Sequence, residues 1–236
     1  MPKKIAALLL NWNCERFVVP HIKMMKPYVD KILVVQATRP WRNYRDEHNI
    51  SVLPDNSEQL IRDNFPDIQI EYYEPQDDDL TMFHANSLNY GLSFLQDYDL
   101  VTKFDFDQFF TKSDLDKLFK YLHSTPYTNY AFDTSKQAVD YYYDWFHGIR
   151  DQLETDPIAV SPKYKFGPLL SYEFPRHIIE EKLTMHHFRN FKEWVTPEWL
   201  ESKIPSPHGV YAQDLLIRYN KGDWIEVPDE IKELFK

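Results

Sequence analysis

Glycine is scarce in this chain, with 5 in 236 residues. Neither a GxGxxG run nor a P-loop occurs, so no glycine-rich loop cradles a phosphate here. Cysteine is scarcer still, Cys14 being the only one. That excludes an intrachain disulfide framework, a thiolate zinc cluster and a CxxC redox site, and fits a reducing compartment or indifference to redox. Long apolar runs are missing too. The longest early run, Ile5–Leu10, follows Lys3 and Lys4 and looks briefly like the core of a secretion signal. It is shorter than the roughly 7–15 residues such a core needs, and Asn11-Trp12-Asn13 follows it instead of a small-residue cleavage site. No stretch approaches the roughly 18 apolar residues of a spanning helix. The expectation is a soluble, cytoplasmic protein with no integral membrane segment. Positive charge is in deficit: 27 Lys and Arg against 37 Asp and Glu give a net charge of −10. That balance speaks against nucleic acid and anionic membranes as partners.

What the chain has is aromatic weight and proline. Aromatics are 16% of the residues, too many for a disordered chain. Ile5–Leu10 reads as a strand buried on both faces, and Lys31–Val35 as a second one. A helix with Pro20 in its first turn lies between them, which makes a βαβ unit and a parallel sheet. Residues 38–56 read as a polar excursion, and Ser57–Asn64 as a short helix. Ile68–Tyr73 alternates like a strand, and Gln76-Asp77-Asp78-Asp79 is an acidic loop. In Met82–Gln96, Ala85, Leu88, Leu92 and Leu95 keep helical spacing. Leu100–Phe104 is the next strand. Ser113, with Asp116 three residues on, predicts the start of another helix.

The second half is less regular. Tyr130–Phe132 and Thr184–Phe188 read as strands, and Pro157–Leu170 as short strands and turns. Val139, Tyr142, Tyr143, Phe146, Ile149 and Leu153 keep helical spacing. Thr196-Pro197 and Tyr211–Tyr219 predict helices, and Pro228 precedes a short terminal one. No repeat or low-complexity tract divides the chain. The expectation is one domain over 1–236, with a βα half over 1–110 and a mixed half over 111–236.

Asp105-Phe106-Asp107 is the sharpest chemical feature. Residues i and i+2 of a strand share a side, and the carboxyl ends of parallel strands are where open α/β sheets bind ligands. Two carboxylates in a partly dry crevice call for a cation. Hard divalent ions take carboxylate oxygens together with substrate phosphates, so the pair predicts Mg²⁺ or Mn²⁺ bridging a diphosphate. Solvated loop aspartates are the bland alternative. Asn11, Asn13 and Glu15 follow the first strand at the same edge, where an Asn amide can read a nucleobase or simply cap a helix. His84, Asn86 and Asn89 lie early on the helix before the acid motif. A His can add a metal ligand beside two carboxylates. Of His186 and His187, His187 shares a strand face with Leu183 and Met185 and is the one favoured. Asp214 is a candidate general base or a first-turn acid on a helix dipole. Trp145, Trp194, Trp199 and Tyr141–Tyr143 could stack on a sugar or belong to the core.

Four segments, in order, resemble a known family. They are Ile5-Ala-Ala-Leu-Leu-Leu-Asn-Trp-Asn-Cys-Glu, Val29-Asp-Lys-Ile-Leu-Val-Val, Phe83-His-Ala-Asn-Ser-Leu-Asn-Tyr-Gly-Leu and Tyr98-Asp-Leu-Val-Thr-Lys-Phe-Asp-Phe-Asp-Gln-Phe-Phe. They look like the ordered motifs of GT-A-fold glycosyltransferases of the family-2-like group, over about residues 4–112 and more loosely from His187-Phe188 to Trp194. The resemblance implies a GT-A (Rossmann-like) α/β fold with a mostly parallel central sheet flanked by helices. It implies transfer of a sugar from a nucleotide-diphosphate sugar to a hydroxyl of a glycan or glycoconjugate, with Mn²⁺ or Mg²⁺. Asn11 and Asn13 would then lie by the donor base and Asn86 near the nucleotide. Asp105 would meet the donor sugar or ribose, and Asp107 and His187 the metal, with Asp105 beside them.

Two positions depart from the pattern: Gln108 stands where an acid usually follows the motif, and Gln36-Ala37-Thr38 replaces an Asp-Gly-Ser-like turn. Asp214 comes after His187, whereas the acidic base motif usually comes before it, so Asp133, Asp140, Asp144 and Glu173 rival it. A sugar-phosphate nucleotidyltransferase would need a Gly-Thr-Arg loop that is absent. The alternative from another class is a non-catalytic carbohydrate- or protein-binding module on a degenerate scaffold of this kind.

Overall fold

The computed structural model describes residues 2–12, 14–39, 55–75, 80–126, 131–142, 146–150, 158–167, 176–190 and 227–236. The first strand, β1 (Ile5–Asn11), has almost no exposed surface. Its side chains alternate between two cores. Ile5, Ala7 and Leu9 pack into one, Ala6 and Leu8 into the other. β2 (Lys31–Ala37) does the same, with Ile32 and Val34 on one face and Leu33 and Val35 on the other. A strand sealed on both faces gains nothing from polar alternation, and this is why both sequences read as continuous apolar runs.

β3 (Gln69–Tyr73) pairs with β2, β2 with β1, and β1 with β4 (Leu100–Lys103), all parallel. Helix α1 (Val18–Met25) lies between β1 and β2 in the chain and supplies Val18, Ile22, Met24 and Met25 to the first core. Pro20 sits in its first turn, where its missing N–H costs no helical bond. α2 (Ser57–Asn64) precedes β3 and adds Ile61 to the same core. α3 (Leu80–Ser93) covers the opposite face with Ala85, Leu88 and Leu92. α4 (Lys112–Ser124) returns to the first face with Leu115, Leu118, Phe119 and Leu122. The result is an α/β layer structure with a mostly parallel central sheet between helices, as expected.

Beyond β4 the sheet becomes mixed. β8 (Ala159–Val160) joins β4 antiparallel, and β6 (Ala131–Tyr142) joins β8 antiparallel. β9 (Arg176–Asn190) pairs parallel with β6, and β5 (Gln108–Phe109) closes the order antiparallel to β9. β7 (Phe146–Arg150) folds back on β6. α5 (Asp229–Leu234) begins after Pro228.

Two local expectations are corrected. The helix expected from Val139 to Leu153 is, over its described residues, the β6–β7 hairpin, with Val139 opposite Ile149 and Tyr142 opposite Phe146. Aromatic and β-branched residues at every third or fourth position also suit strands, and cross-strand pairing decided between the two periods. α4 starts two residues earlier than Ser113 and Asp116 suggested. Thr111 is its N-cap, its hydroxyl accepting from the Asp114 amide at 3.2 Å. Asp114 wins because it also accepts from the Thr184 amide of β9 at 3.3 Å, which fixes it inside the fold. The expected helices at Thr196-Pro197 and Tyr211–Tyr219 and the acidic loop at 76–79 lie outside the described residues.

Gly91 shows how tightly α3 is seated. A β-carbon there would stand 2.4 Å from Leu8 Cδ1 and 2.9 Å from Val35 Cγ2. Leu8 is itself buried. Glycine inside a helix is worth about 1 kcal/mol less than alanine, so the close approach to the sheet is what the residue supplies. Gly91→Val should destabilise the fold by about 2 kcal/mol or more through overpacking. Urea unfolding checks this; an unchanged midpoint would show that α3 can lift from the sheet freely.

Candidate active site

The order β3-β2-β1-β4 means that the chain builds outward from β1 in one direction, then in the other. The reversal lies between β1 and β4. α1, which follows β1, and α3, which leads into β4, cover opposite faces of the sheet, and the carboxyl ends of the two strands border a crevice. Asn11 ends β1, and the segment Phe104 to Gln108 follows β4.

The aspartates do not extend the strand. β4 stops at Lys103, and Asp105–Gln108 form a turn closed by the Gln108 amide donating to the Asp105 carbonyl at 3.0 Å. The alternation survives nevertheless. Phe104 and Phe106 are buried, while the side chains of Asp105 and Asp107 are 43% and 28% exposed. The phenyl rings anchor the turn: Phe104 packs on Phe110 at 5.0 Å, and Phe106 meets the His21 ring at 5.4 Å.

Each carboxylate has its own surroundings. Asp105 Oδ1 is 3.5 Å from the buried Lys103 ammonium, and its Oδ2 accepts from the Gln108 side-chain amide at 3.2 Å. Burial opposes its ionisation and is the largest single influence, but the charges of Lys103, His84 and His187 together outweigh it and hold the Asp105 carboxyl well below the ordinary carboxylate range. Asp107 faces a different group, His187, whose Nε2 is 3.6 Å from Asp107 Oδ2. β9 delivers that imidazole. His187 pairs with Gln108 across the β5–β9 ladder, and the Phe188 amide donates to the Asp107 carbonyl at 2.8 Å. The neighbouring His186 is buried near Asp114; burial pushes its pKa down to about 4, against the pull of Asp114. His187 is therefore the histidine of the acid turn.

Other expected site residues are placed differently. Asn11 is 1% exposed, and its amide donates to Gln36 Oε1 at 2.6 Å and Ser57 Oγ at 2.9 Å. It braces β1 to β2 and α2 instead of offering its edge to a base. Gln36, where an Asp-Gly-Ser-like turn was expected, is its partner in that brace. Glu15 is engaged with the start of α2: its carboxylate accepts from Asn56 Nδ2 at 3.3 Å, and its own amide donates to Asp55 at 2.8 Å. Asn86 is half-buried on α3. Asn89 holds the segment after β8, donating to the Phe166 carbonyl at 2.9 Å and accepting from its amide at 2.8 Å. Asn13, Asp144, Glu173, Asp214, Tyr143, Trp145, Trp194 and Trp199 lie outside the described residues, as do the side chains of Asp133, Asp140, Tyr141 and Tyr142.

Sequence reasoning missed Lys103 and gave Gln108 only as a departure from pattern. The signal was present: a lysine two residues before an acid pair, and an amide three residues after its first member. Asp107 and His187 together offer a hard cation one carboxylate and one imidazole. Asp105 is turned to Lys103 and Gln108 instead. Among the described residues no three His, Cys, Asp or Glu side chains are grouped around a common metal position. The residues fit a divalent ion held by Asp107 and His187 and completed by ligand oxygens, as hard ions with few protein ligands are.

No protein-family model matches the sequence, and no curated protein is similar to it at a significant level. Solved structures are similar in fold only. One is glucosyl-3-phosphoglycerate synthase from Mycobacterium tuberculosis with Mn²⁺, uridine diphosphate and phosphoglyceric acid. It is 14% identical, with a TM-score of 0.38 over 58% of this chain and 43% of that one. This chain thus covers less than half of that synthase. Another is 4-diphosphocytidyl-2C-methyl-D-erythritol synthase, at 12% identity and a TM-score of 0.38 over 69% of this chain and 76% of that one. A third, from Desulfovibrio desulfuricans G20 and assigned only provisionally as a nucleotide-diphospho-sugar transferase, is 9% identical. Its TM-score is 0.41 over 95% of this chain and all of that one. No described helix is long and apolar enough to cross a membrane.

Two buried histidines give the fold a pH dependence. His21 and His186 are both pushed down to about 4 by burial, from an ordinary value near 6.5. Between those values the unfolded chain binds protons that the folded chain refuses, so stability is complete above about pH 6.5 and falls as pH drops toward 4. The expected loss from pH 7 to pH 5 is about 2 kcal/mol for each ring, about 4 kcal/mol for the two. His186→Gln should flatten part of that slope in urea titrations. Equal stability at pH 7 and pH 5 would contradict the assigned neutral state of both rings.

Proposed function

We propose that this chain is a divalent-cation-dependent glycosyltransferase, passing a sugar from a nucleotide-diphosphate sugar to a hydroxyl acceptor on a glycan or glycoconjugate. The observation that carries the reading is the acid turn at the β1/β4 switch point, with His187 brought from a distant strand to 3.6 Å of Asp107. The ordered resemblance of residues 4–112 to GT-A glycosyltransferases supports it independently. On this reading Asp107 and His187 hold Mn²⁺ or Mg²⁺. A bound cation supplies charge to the leaving diphosphate, where such transfers gain most of their stabilisation. Asp105, bonded by Gln108 and kept ionised chiefly by Lys103, faces the donor sugar or ribose, and Asn86 approaches the nucleotide. Asn13 stands by the base and Glu15 supports the same loop.

In the transfer, the acceptor oxygen bonds to the anomeric carbon and its proton passes to a carboxylate. The bond from that carbon to the diphosphate oxygen breaks, and its electron pair leaves with the diphosphate. Asp214 is the carboxylate put forward, with Asp133, Asp140, Asp144 and Glu173 as rivals. Residues 1–110 form the donor half and 111–236 the acceptor half of one domain, acting in the cytoplasm.

A second reading has one specific support. Asp105 is already neutralised by protein groups, and Gln108 replaces an acid, as in a carbohydrate- or protein-binding module that has lost its metal. Thermal melting against nucleoside diphosphates and nucleotide sugars, with and without Mn²⁺, separates the two. A ligand at 100 times its dissociation constant stabilises by about 2.7 kcal/mol. A shift that needs both nucleotide and Mn²⁺, and that Asp107→Ala abolishes while melting normally on its own, supports the transferase. A shift that persists undiminished in Asp107→Ala overturns the site. No shift with any nucleotide in the wild type overturns the donor reading and favours the binding module.

A further inference from the structure

His21, on α1, is the buried titratable group that the proposed chemistry leaves unused. It has no exposed surface. Its ring stands edge-on to Phe106 at 5.4 Å and to Phe109 at 5.7 Å, so it fills the space beneath the acid turn. Neither ring nitrogen completes a hydrogen bond. Yet the backbone of Gln108 and of Phe106 lies close enough to act on the ring, as do the charges of Asp107 and Asp105.

A neutral imidazole brings one N–H donor and one acceptor. Leaving both short of a partner in the interior carries a free-energy cost that a phenyl ring would avoid. The neighbours here are themselves phenyl rings, so a position that needed only filling would be better served by phenylalanine. The nitrogens face the one segment of the molecule that carries both aspartates.

We propose that His21 is a positioning residue for the acid turn: its ring N–H is the donor onto which the turn's backbone closes, setting where Asp105 and Asp107 meet a cation and a diphosphate. The inference rests on the donor-binding reading above. The contact falls short of a full hydrogen bond, and a ligand that draws the turn inward completes it. His21 thereby links the packing of α1 to the carboxylates without touching any ligand.

The test compares wild type with His21→Phe, using Mn²⁺ together with uridine, guanosine, cytidine or adenosine diphosphate. His21→Phe is expected to melt at the same temperature or higher, while its dissociation constant for the Mn²⁺–nucleotide pair rises about tenfold, the size of one hydrogen bond. A filler histidine also leaves the melting temperature the same or higher, but gives an unchanged dissociation constant. That result overturns the inference alone. A wild type that binds no Mn²⁺–nucleotide pair overturns the donor reading and this inference with it. Should His21→Phe fail to fold, nitrogen NMR of the wild-type imidazole at pH 7 decides. One neutral tautomer, its N–H becoming slower to exchange when the Mn²⁺–nucleotide pair is added, supports the proposal. An N–H indifferent to that addition overturns it.

Discussion

The burial of Phe106 between two aspartates sets the geometry on which the site depends. Phe104, Phe106, Phe109 and Phe110 are all nearly inaccessible to solvent. Burying each is worth about 1.5–3 kcal/mol. Those four anchors leave the intervening Asp105 and Asp107 no direction but outward, into the crevice where the sheet reverses its order. The same aromatic layer reaches the far end of the chain. Phe109 and Phe188 meet Phe235 at 5.2 and 5.6 Å, so the strand that brings His187 and the C-terminal segment are held by one core.

The two carboxylates then differ by what the protein puts beside them. Asp105 has a buried ammonium and an amide donor; Asp107 has an imidazole and open space. Carboxylates close together cannot both ionise comfortably without compensation. Lys103 supplies that compensation for one member of the pair, leaving the other as the place where a cation gains most. An acid at position 108 would put a further negative charge beside Asp105, where the Gln108 amide now donates.

Much of the parallel half could be read from the residues. Ile5–Leu10 and Lys31–Val35 are apolar throughout because both faces are covered. The Ala85, Leu88, Leu92 stripe announced the face of α3 that covers the sheet. The region after residue 130 could not be read in the same way. Val139, Tyr142, Phe146 and Ile149 satisfy a helical period, and only pairing between β6, β7 and β9 made them strands. The approach of His187 to Asp107 is of that kind as well, since it depends on a ladder between residues 108 and 187. Asn11 misled for another reason. An amide at a strand end can face a ligand or its neighbours with equal chemical ease, and here Gln36 and Ser57 accept both N–H groups of the Asn11 amide within the fold.

The claim at the centre of this account is that Asp107 and His187 share a cation that also meets the donor diphosphate. Crystals grown with Mn²⁺ and a nucleoside diphosphate test it directly through the anomalous scattering of manganese. The account predicts one strong peak within bonding distance of Asp107 Oδ2 and His187 Nε2, with diphosphate oxygens completing its shell and Asp105 still held by Lys103. A peak elsewhere, or a nucleotide bound away from the turn between β4 and β5, would contradict it.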